Sequence, residues 1–395
     1  MLPLAGTLDP VNYYPADVIV DLAAIRHNVG TLGQAASGAQ VMAVVKADAY
    51  GHGLLPVARA ALAGGASWLG VAQITDALTL RQAGITAPVL AWLYTPGAPL
   101  DEVIAADVDL SVSALWALDE VVAGARAADR TARIHLKVDS GMGRGGAFPD
   151  VWDDLVAAAM RAQAGGEVQV VGVWSHLARA DDVGHPSIDA QVEVFTHAIA
   201  VAEAAGADLQ VRHLANSAGT LTAPHTHFDL VRPGVATYGL TPAPEYRSAD
   251  EFGLIPAMRL EAQVHLVKTA PAGQGISYGH TYTTTERTRL AVIPLGYADG
   301  IPRHASNSGP VQVAGRTVTI AGRVCMDQFT LDLGPDGPVP QAGERAVLFG
   351  TGAGGEPTAQ DWAEAAGTIN YEIVTRIGAT RIPRSYRNET GSTET

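Results

Sequence analysis

At 395 residues the chain exceeds one ordinary compact domain and suits two, with enough length to bury a large core. It is 47% hydrophobic and 17% charged, without a charge block or low-complexity tract, as expected of a soluble globular protein. The formal net charge of −14 disfavours nucleic acid as a partner, because phosphate backbones call for a basic surface.

The opening stretch, MLPLAGTLDPVNYYPADV, has no basic segment followed by an apolar one and is not expected to act as a signal peptide. From there the chain alternates short β-branched runs with Ala- and Leu-rich helical stretches. The first clear strand is VMAVVK (41–46), followed by the helical LLPVARAALAGG. WLGVA (68–72) comes next, then a helix through ITDALTLRQAG. Further strands are predicted at 89–94, 108–113, 133–139, 168–177, 211–217 and 228–235. Continuous apolar runs suit strands covered on both faces, as in a parallel sheet. Eight such units predict a closed TIM-type (β/α)8 barrel within an α/β fold, over residues 12–243.

The texture then changes. From Glu261 onwards, EAQVHLVKTA, LAVIPLGYADG, VQVAGRTVTIAGRVCMDQFTLDL and RAVLFG read as strands joined by glycine-containing turns. A mostly antiparallel β domain is therefore expected over 244–387, interrupted by one helix at AQDWAEAAG (359–367). Residues 1–11 are expected to pack with it, and 388–395 to form a frayed tail. Uncharged stretches such as Gln82 to Leu100 are broken by proline, glycine and polar residues, so no membrane span is expected. The single cysteine, Cys325, leaves no intrachain disulfide and fits a reducing, cytoplasmic compartment.

Barrel enzymes build their sites from the C-terminal ends of their strands, so the residues standing there carry the chemistry. They are Lys46, followed by ADAYGHG, then Lys137, Asp139 and Arg144 in KVDSGMGRGG, His176, Asn216 with Ser217, and Arg232 with Gly234. Several cations, a hydroxyl and glycines at one mouth suit an anionic, phosphorylated ligand. Lys46 taken alone reads more readily as a lysine capping a buried strand. Its glycine-rich loop, and Tyr50 four residues on, shift the reading to an amine held partly desolvated for Schiff-base chemistry. No HExxH or CxxC occurs, so no metal site is indicated. Cys325 is expected to pack as a small hydrophobe.

VVKADAYGHG resembles the cofactor-lysine motif of the alanine racemases. KVDSGMGR (137–144), SHLARAD (175–181), HLANSAG (213–219), RPGVATYGL (232–240), GISYGHTY (275–282), GYADG (296–300), GRVCMDQ (322–328) and NYEI (370–373) resemble that family's other blocks, in order. The likeness runs from about Tyr14 to Arg384. It implies pyridoxal 5'-phosphate carried by Lys46, which also serves as one of two acid/base groups. Tyr50, Ser217, Tyr371 and the backbone at Gly234 and Val235 would hold the phosphate, with His176 and Asn216 nearby. Arg232 would face the pyridine nitrogen. An arginine does not surrender its proton, so that nitrogen would stay unprotonated and the cofactor would be a weaker electron sink. Arg144 would meet the cofactor phenolate and the substrate carboxylate, and Lys137 is similar to a position that carries a carbamate. An ordinary ion pair between Lys137 and Asp139 is the alternative.

By the same likeness Tyr278 would be the second acid/base group, reaching across from the other subunit of a homodimer with Met326 and Asp327. Read from the residues alone, it is equally a tyrosine on a half-buried strand. A phenol titrates near ~10, so it needs cations such as His176 and Arg232 to serve as a base. Asp181, Tyr297, Arg303 and Arg323 resemble residues lining the access path, while His52 and His280 would support the site from behind. The expected activity is interconversion of L- and D-alanine, supplying D-alanine for peptidoglycan. A serine or broader racemase, a barrel decarboxylase and a non-catalytic pyridoxal-phosphate barrel remain alternatives. The last two fit less well, given Arg232, the full β domain and the lack of a long C-terminal extension with a substrate-gripping cysteine motif.

Overall fold

A computed structural model describes residues 13–378, 381–387 and 393–394. Its first strand, β1 (Ala16–Asp21), ends on a residue that starts the first helix. The Asp21 carboxylate accepts from the amides of Ala23 and Ala24 at 2.8 and 3.1 Å, satisfying two donors that the helix Leu22–Ala35 cannot pair internally. Eight parallel strands follow: β2 (Gln40–Val44), β3 (Trp68–Gln73), β4 (Val89–Leu93), β5 (Asp109–Val112), β6 (Ala132–Lys137), β7 (Val168–Trp174), β8 (Val211–His213) and β9 (Leu230–Val231).

Neighbours pair in chain order from β2 to β8, and β9 lies on the other side of β2. The ring is closed by backbone bonds from Asp229 N to Arg212 O (3.0 Å) and from Arg232 N to Ala215 O (2.9 Å). This is the expected TIM-type barrel, with all eight strands where the apolar runs placed them. Several of the strands are shorter than those runs. The backbone leaves the ladder at Val44, Trp174, His213 and Val231, so Lys46, His176, Ser217 and Arg232 stand just beyond the strand ends.

Helices fill the crossovers by amphipathic spacing. In Leu115–Ala128 the buried residues are Ala117, Leu118, Val121, Gly124 and Ala125, a stripe of three- and four-residue steps. Gly124 lets that helix lie on its neighbour Leu100–Ala105, since a β-carbon there would come within 2.9 Å of the Leu100 side chain. Inside the barrel Met42, Trp68, Leu90, Val211 and Leu230 pack as one apolar cluster.

The chain divides into two compact units, Asp21–Ala257 forming the body of one and Met258–Tyr386 with residues 13–20 most of the other. β1 pairs antiparallel with β10 (Met258–Gln263), Val18 facing Leu260, so the earliest described strand serves the β unit. Residues up to Ala257 stay with the barrel, where Asn28 exchanges hydrogen bonds with both the amide and the carbonyl of Ile255. The expectation for residues 1–11 lies outside the described residues, as does most of 388–395.

The β unit continues with β11 (Leu266–Ala270), β12 (Gly275–Ile276), β13 (Tyr282–Thr283), β14 (Thr288–Ile293), β15 (Pro310–Val313), β16 (Arg316–Thr319), β17 (Phe329–Asp332), β18 (Arg345–Phe349), β19 (Arg384–Arg387) and β20 (Thr393–Glu394). They form a seven-stranded sheet in the order β16-β15-β18-β10-β1-β19-β20, a three-stranded sheet β11-β14-β17 and the pair β12-β13. The expected helix is Ala359–Ala366, started by a Thr358–Asp361 capping box. A second helix, Asn370–Gly378, occupies the following segment.

Candidate active site

Lys46 stands where β2 gives way to an unusual turn. Ala47, Asp48, Ala49 and Tyr50 all have φ between 52° and 55°, a full turn of left-handed helix built without glycine. Each such residue costs about 1–2 kcal/mol relative to the right-handed form. The surroundings must therefore over-determine it. Ala49 N donates to Val45 O at 2.9 Å, Gly51 N to Ala47 O at 3.0 Å, and the Asp48 carboxylate accepts from Leu54 N at 2.8 Å. The Tyr50 ring stacks on Tyr238 at 4.7 Å, and Tyr238 in turn donates to Val44 O at 2.9 Å. The turn aims Tyr50 at Gly234, where a β-carbon would lie 2.4 Å from its hydroxyl.

Around that hydroxyl the barrel gathers hydrogen-bonding groups. Ser217 Oγ accepts from the amides of Gly234 (2.8 Å) and Ala236 (3.3 Å), and Asn216 accepts from Gly219 N (3.0 Å), holding the loop after β8. Val235 begins the short 3-10 turn that follows. Opposite in character are the cations. Arg232 is 4% exposed and donates to the carbonyls of Ser175 (2.5 Å) and Leu214 (3.1 Å) and to Nδ1 of His176 (3.3 Å) and His213 (3.1 Å). Its guanidinium lies 4.9 Å from the Trp174 ring, and the Lys137 amine 4.2 Å from the same ring.

Crowding of like charges shapes the titration here. Burial and then Arg144 hold the Lys46 amine below the ordinary lysine range. Lys137 is pushed down to about 8 by burial, then Arg232 and Arg144. His176 is driven well below its usual value by burial and the cations Arg232, Arg144, Lys137 and Lys46, so it stays a neutral imidazole. It thus carries no positive charge that could acidify a phenol.

The loop SGMGRGG folds on Asp139, whose carboxylate accepts from the amides of Gly141, Met142, Gly143 and Arg144 at 2.8–3.1 Å. Burial pushes this carboxyl up, but those four amides outweigh it and hold the group below the usual range. An ion pair of Lys137 with Asp139 is replaced by this arrangement: the carboxylate is occupied by amides and the amine lies over Trp174. Asp181 is exposed, on the loop between β7 and the helix Ser187–Ala204.

In the β unit Tyr278 is 72% exposed, on a 3-10 turn, Tyr278–His280, rather than on a half-buried strand. The preceding Ser277, at φ 60°, donates to Arg323 O at 2.6 Å, and its hydroxyl lies 3.3 Å from Cys325 Sγ. Gly279 leaves room for the Arg323 guanidinium, which a β-carbon would approach to 3.2 Å. Tyr297 N and Ala298 N donate to Cys325 O and Met326 O, both at 3.0 Å, so the turns bearing Tyr278, Tyr297, Arg323 and Met326 are tied together. Met326 is 54% exposed, and Asp327 pairs with Arg381 at 2.8 Å. Arg303 lies on an adjoining turn, Arg303–Ala305, and Tyr371 is half-buried on the helix Asn370–Gly378.

Sequence reasoning missed Trp174, His213, His135 and Asp109, all buried. The usable signal was histidine inside an apolar strand run, a polar group that needs a buried partner.

The barrel unit thus defines an enzyme-type mouth: a desolvated amine, a buried guanidinium and a hydroxyl- and amide-lined cradle for an anion. Profiles described as alanine racemase, N-terminal domain and alanine racemase, C-terminal domain match residues 20–242 and 257–386. The alanine racemase of Beutenbergia cavernae is 65% identical over 371 residues, covering 94% of this chain and 97% of that one. The crystal structure of alanine racemase from D-cycloserine producing Streptomyces lavendulae superposes with a TM-score of 0.93 at 56% identity, over 95% of this chain and 98% of that one. The alanine racemase structure from Streptomyces coelicolor A3(2) gives the same TM-score and identity, over 96% and 100%. The chain belongs to the alanine racemase family, and it is an isomerase acting on amino acids.

Among the described residues no helix is long and apolar enough to cross a membrane, and no group of three or more His, Cys, Asp or Glu is placed to hold a metal ion.

Proposed function

We propose that this chain interconverts L-alanine and D-alanine with pyridoxal 5'-phosphate, using Lys46 and Tyr278 as its two acid/base groups. The observation that carries this reading is the convergence, at one barrel mouth, of a partly desolvated lysine with a cradle made by Tyr50, Ser217 and Gly234. The close Tyr50–Gly234 approach fits a phosphate, because hydroxyl and amide donors bind it without a second cation. Lys46 would hold the cofactor's aldehyde carbon, Ser217, Tyr50, Val235 and Tyr371 its phosphate, and Arg232 its ring nitrogen. Bound there, the cofactor supplies an electron sink that acidifies the substrate's Cα–H bond.

The remaining work belongs to the chain. Lys46 Nζ moves a proton at Cα on one face, and the Tyr278 hydroxyl moves one on the other. Tyr278 and Met326, both more than half exposed, would come from the partner subunit, which makes a homodimer with shared sites the working form. Arg144 would take the substrate carboxylate, with Asp327 and Met326 beside it. Asp181, Tyr297, Arg303 and Arg323 would border the access path. The enzyme would act in the cytoplasm, where D-alanine feeds peptidoglycan. The test is a chiral assay with L-alanine, L-serine and L-lysine, with and without added cofactor. L-alanine should be racemised fastest and cofactor removal should abolish turnover; faster turnover of serine or lysine would sink the substrate assignment.

Lys137 would carry a carbamate that steadies Arg144. With its amine pushed down to about 8, a useful neutral fraction exists near neutral pH to add carbon dioxide. Protein equilibrated with 13C-bicarbonate should show one carbamate carbonyl signal that Lys137→Ala removes. No such signal at any pH from about 7 to about 9, a window spanning that titration, would refute the modification.

A further inference from the structure

Behind Arg232 a line of buried polar groups crosses the barrel interior. Arg232 Nη1 lies 3.1 Å from His213 Nδ1, His213 Nε2 lies 2.9 Å from His135 Nδ1, and His135 Nε2 lies 3.0 Å from Asp109 Oδ2. Asp109 Oδ1 accepts from Arg133 Nε at 2.9 Å, at the far end. Both imidazoles are fully buried and Asp109 is 2% exposed. Trp174 stacks on the His213 ring at 5.6 Å and 8°, and Trp68 meets His135 edge-on at 5.6 Å.

The direction of every proton in this line follows from one fact. A guanidinium only donates, so His213 Nδ1 must accept and its proton sits on Nε2. That proton points at His135 Nδ1, which must then be bare, so the His135 proton sits on Nε2 and points at Asp109. No other arrangement of neutral rings satisfies all three contacts. Burying a carboxylate and two imidazoles costs several kcal/mol unless each is paired, so apolar packing would be the cheaper filling for a purely structural core. The backbone also makes room for it. His135 on β6 faces Gly172 on β7, and a β-carbon at Gly172 would lie 2.6 Å from His135 Nδ1. Only a glycine lets the two rings meet across that strand.

We propose that Asp109 and His135, acting through His213, are positioning residues for Arg232: a one-way hydrogen-bond relay that fixes how the guanidinium is presented at the barrel mouth. The carboxylate draws the His135 proton, which strengthens each acceptor down the line and ends on the arginine. What that orientation serves rests on Arg232 facing the cofactor's ring nitrogen; the relay itself does not. Besides each other, the charged groups facing the two rings are Arg232 and Lys137 at His213, and Asp109 and Arg133 around His135.

The test is long-range 1H–15N correlation on the full chain labelled in histidine, as purified and again after cofactor removal. Both rings should show Nε2–H with a bare Nδ1 at the pH of the activity assay. A proton on Nδ1 of either ring overturns the relay. His135→Phe should lower kcat about tenfold with KM for alanine within about twofold. His135→Gln, which can accept from His213 and donate to Asp109, should recover most of that loss. An unchanged kcat per folded molecule in His135→Phe, or no recovery with glutamine, also overturns it. Absent racemisation in the wild type, with both rings protonated as described, would instead overturn the functional reading and leave the relay standing.

Discussion

Replacing Lys46 with alanine is expected to abolish the visible absorption of the bound cofactor and to lower turnover by about 10⁴-fold or more. The magnitude follows from two tasks that fall together on one atom. In the proposed reaction the Lys46 amine would anchor the cofactor covalently and move a proton at the substrate carbon. Its desolvation, with Arg144 nearby, keeps more of it neutral than an ordinary surface lysine and therefore more nucleophilic. Arginine at the same place keeps the charge but not the nucleophile, so Lys46→Arg should be nearly as damaging. The measurement is absorbance before and after borohydride, with peptide mapping of the reduced protein. A label on any lysine other than Lys46 would end the cofactor assignment.

Tyr278→Phe is expected to slow exchange of the Cα proton about 10²–10⁴-fold, the range for losing one positioned acid/base group. The effect should be lopsided, with removal from the L enantiomer suffering far more than removal from the D enantiomer. Deuterium incorporation into each enantiomer separates the two faces. Equal and small effects would contradict the two-base scheme. The 72% exposure of Tyr278 on its turn agrees with the proposed sharing of sites between subunits. Mixing Lys46→Ala protein with Tyr278→Phe protein should then restore part of the activity through hybrid dimers. Proven subunit exchange without recovery would argue for sites complete within one chain.

The charge environment of the mouth bears on that scheme. His176, standing just after a strand, would acidify the phenol only as a cation. Burial and four neighbouring cations leave it neutral, so among the groups weighed for that role Arg232 is the one that retains its charge. Arg232 itself survives burial as a cation because two carbonyls and two imidazole lone pairs take its N–H groups.

Local pattern carried much of this protein. Continuous apolar runs identified the eight barrel strands, because a strand covered on both faces has no polar side to show. The strand ends singled out Lys46, Lys137, Arg144, His176, Ser217 and Arg232 as candidates, because a barrel mouth collects whatever follows each strand. Non-local pairing was not legible. That Ala16–Asp21 joins Met258–Gln263, over two hundred residues away, depends on which partner the folded chain presents, and any isolated strand reads alike. Nor was the left-handed turn after Lys46 written in residue type, since Ala, Asp and Tyr do not choose it unaided and it is held by its own hydrogen bonds together with the packing of Tyr50 on Tyr238. The relay from Asp109 to Arg232 needed the tertiary structure most of all. Its members come from four separate strand segments, and a hydrogen bond of 3 Å is decided by where the strands lie, not by the order in which they are made.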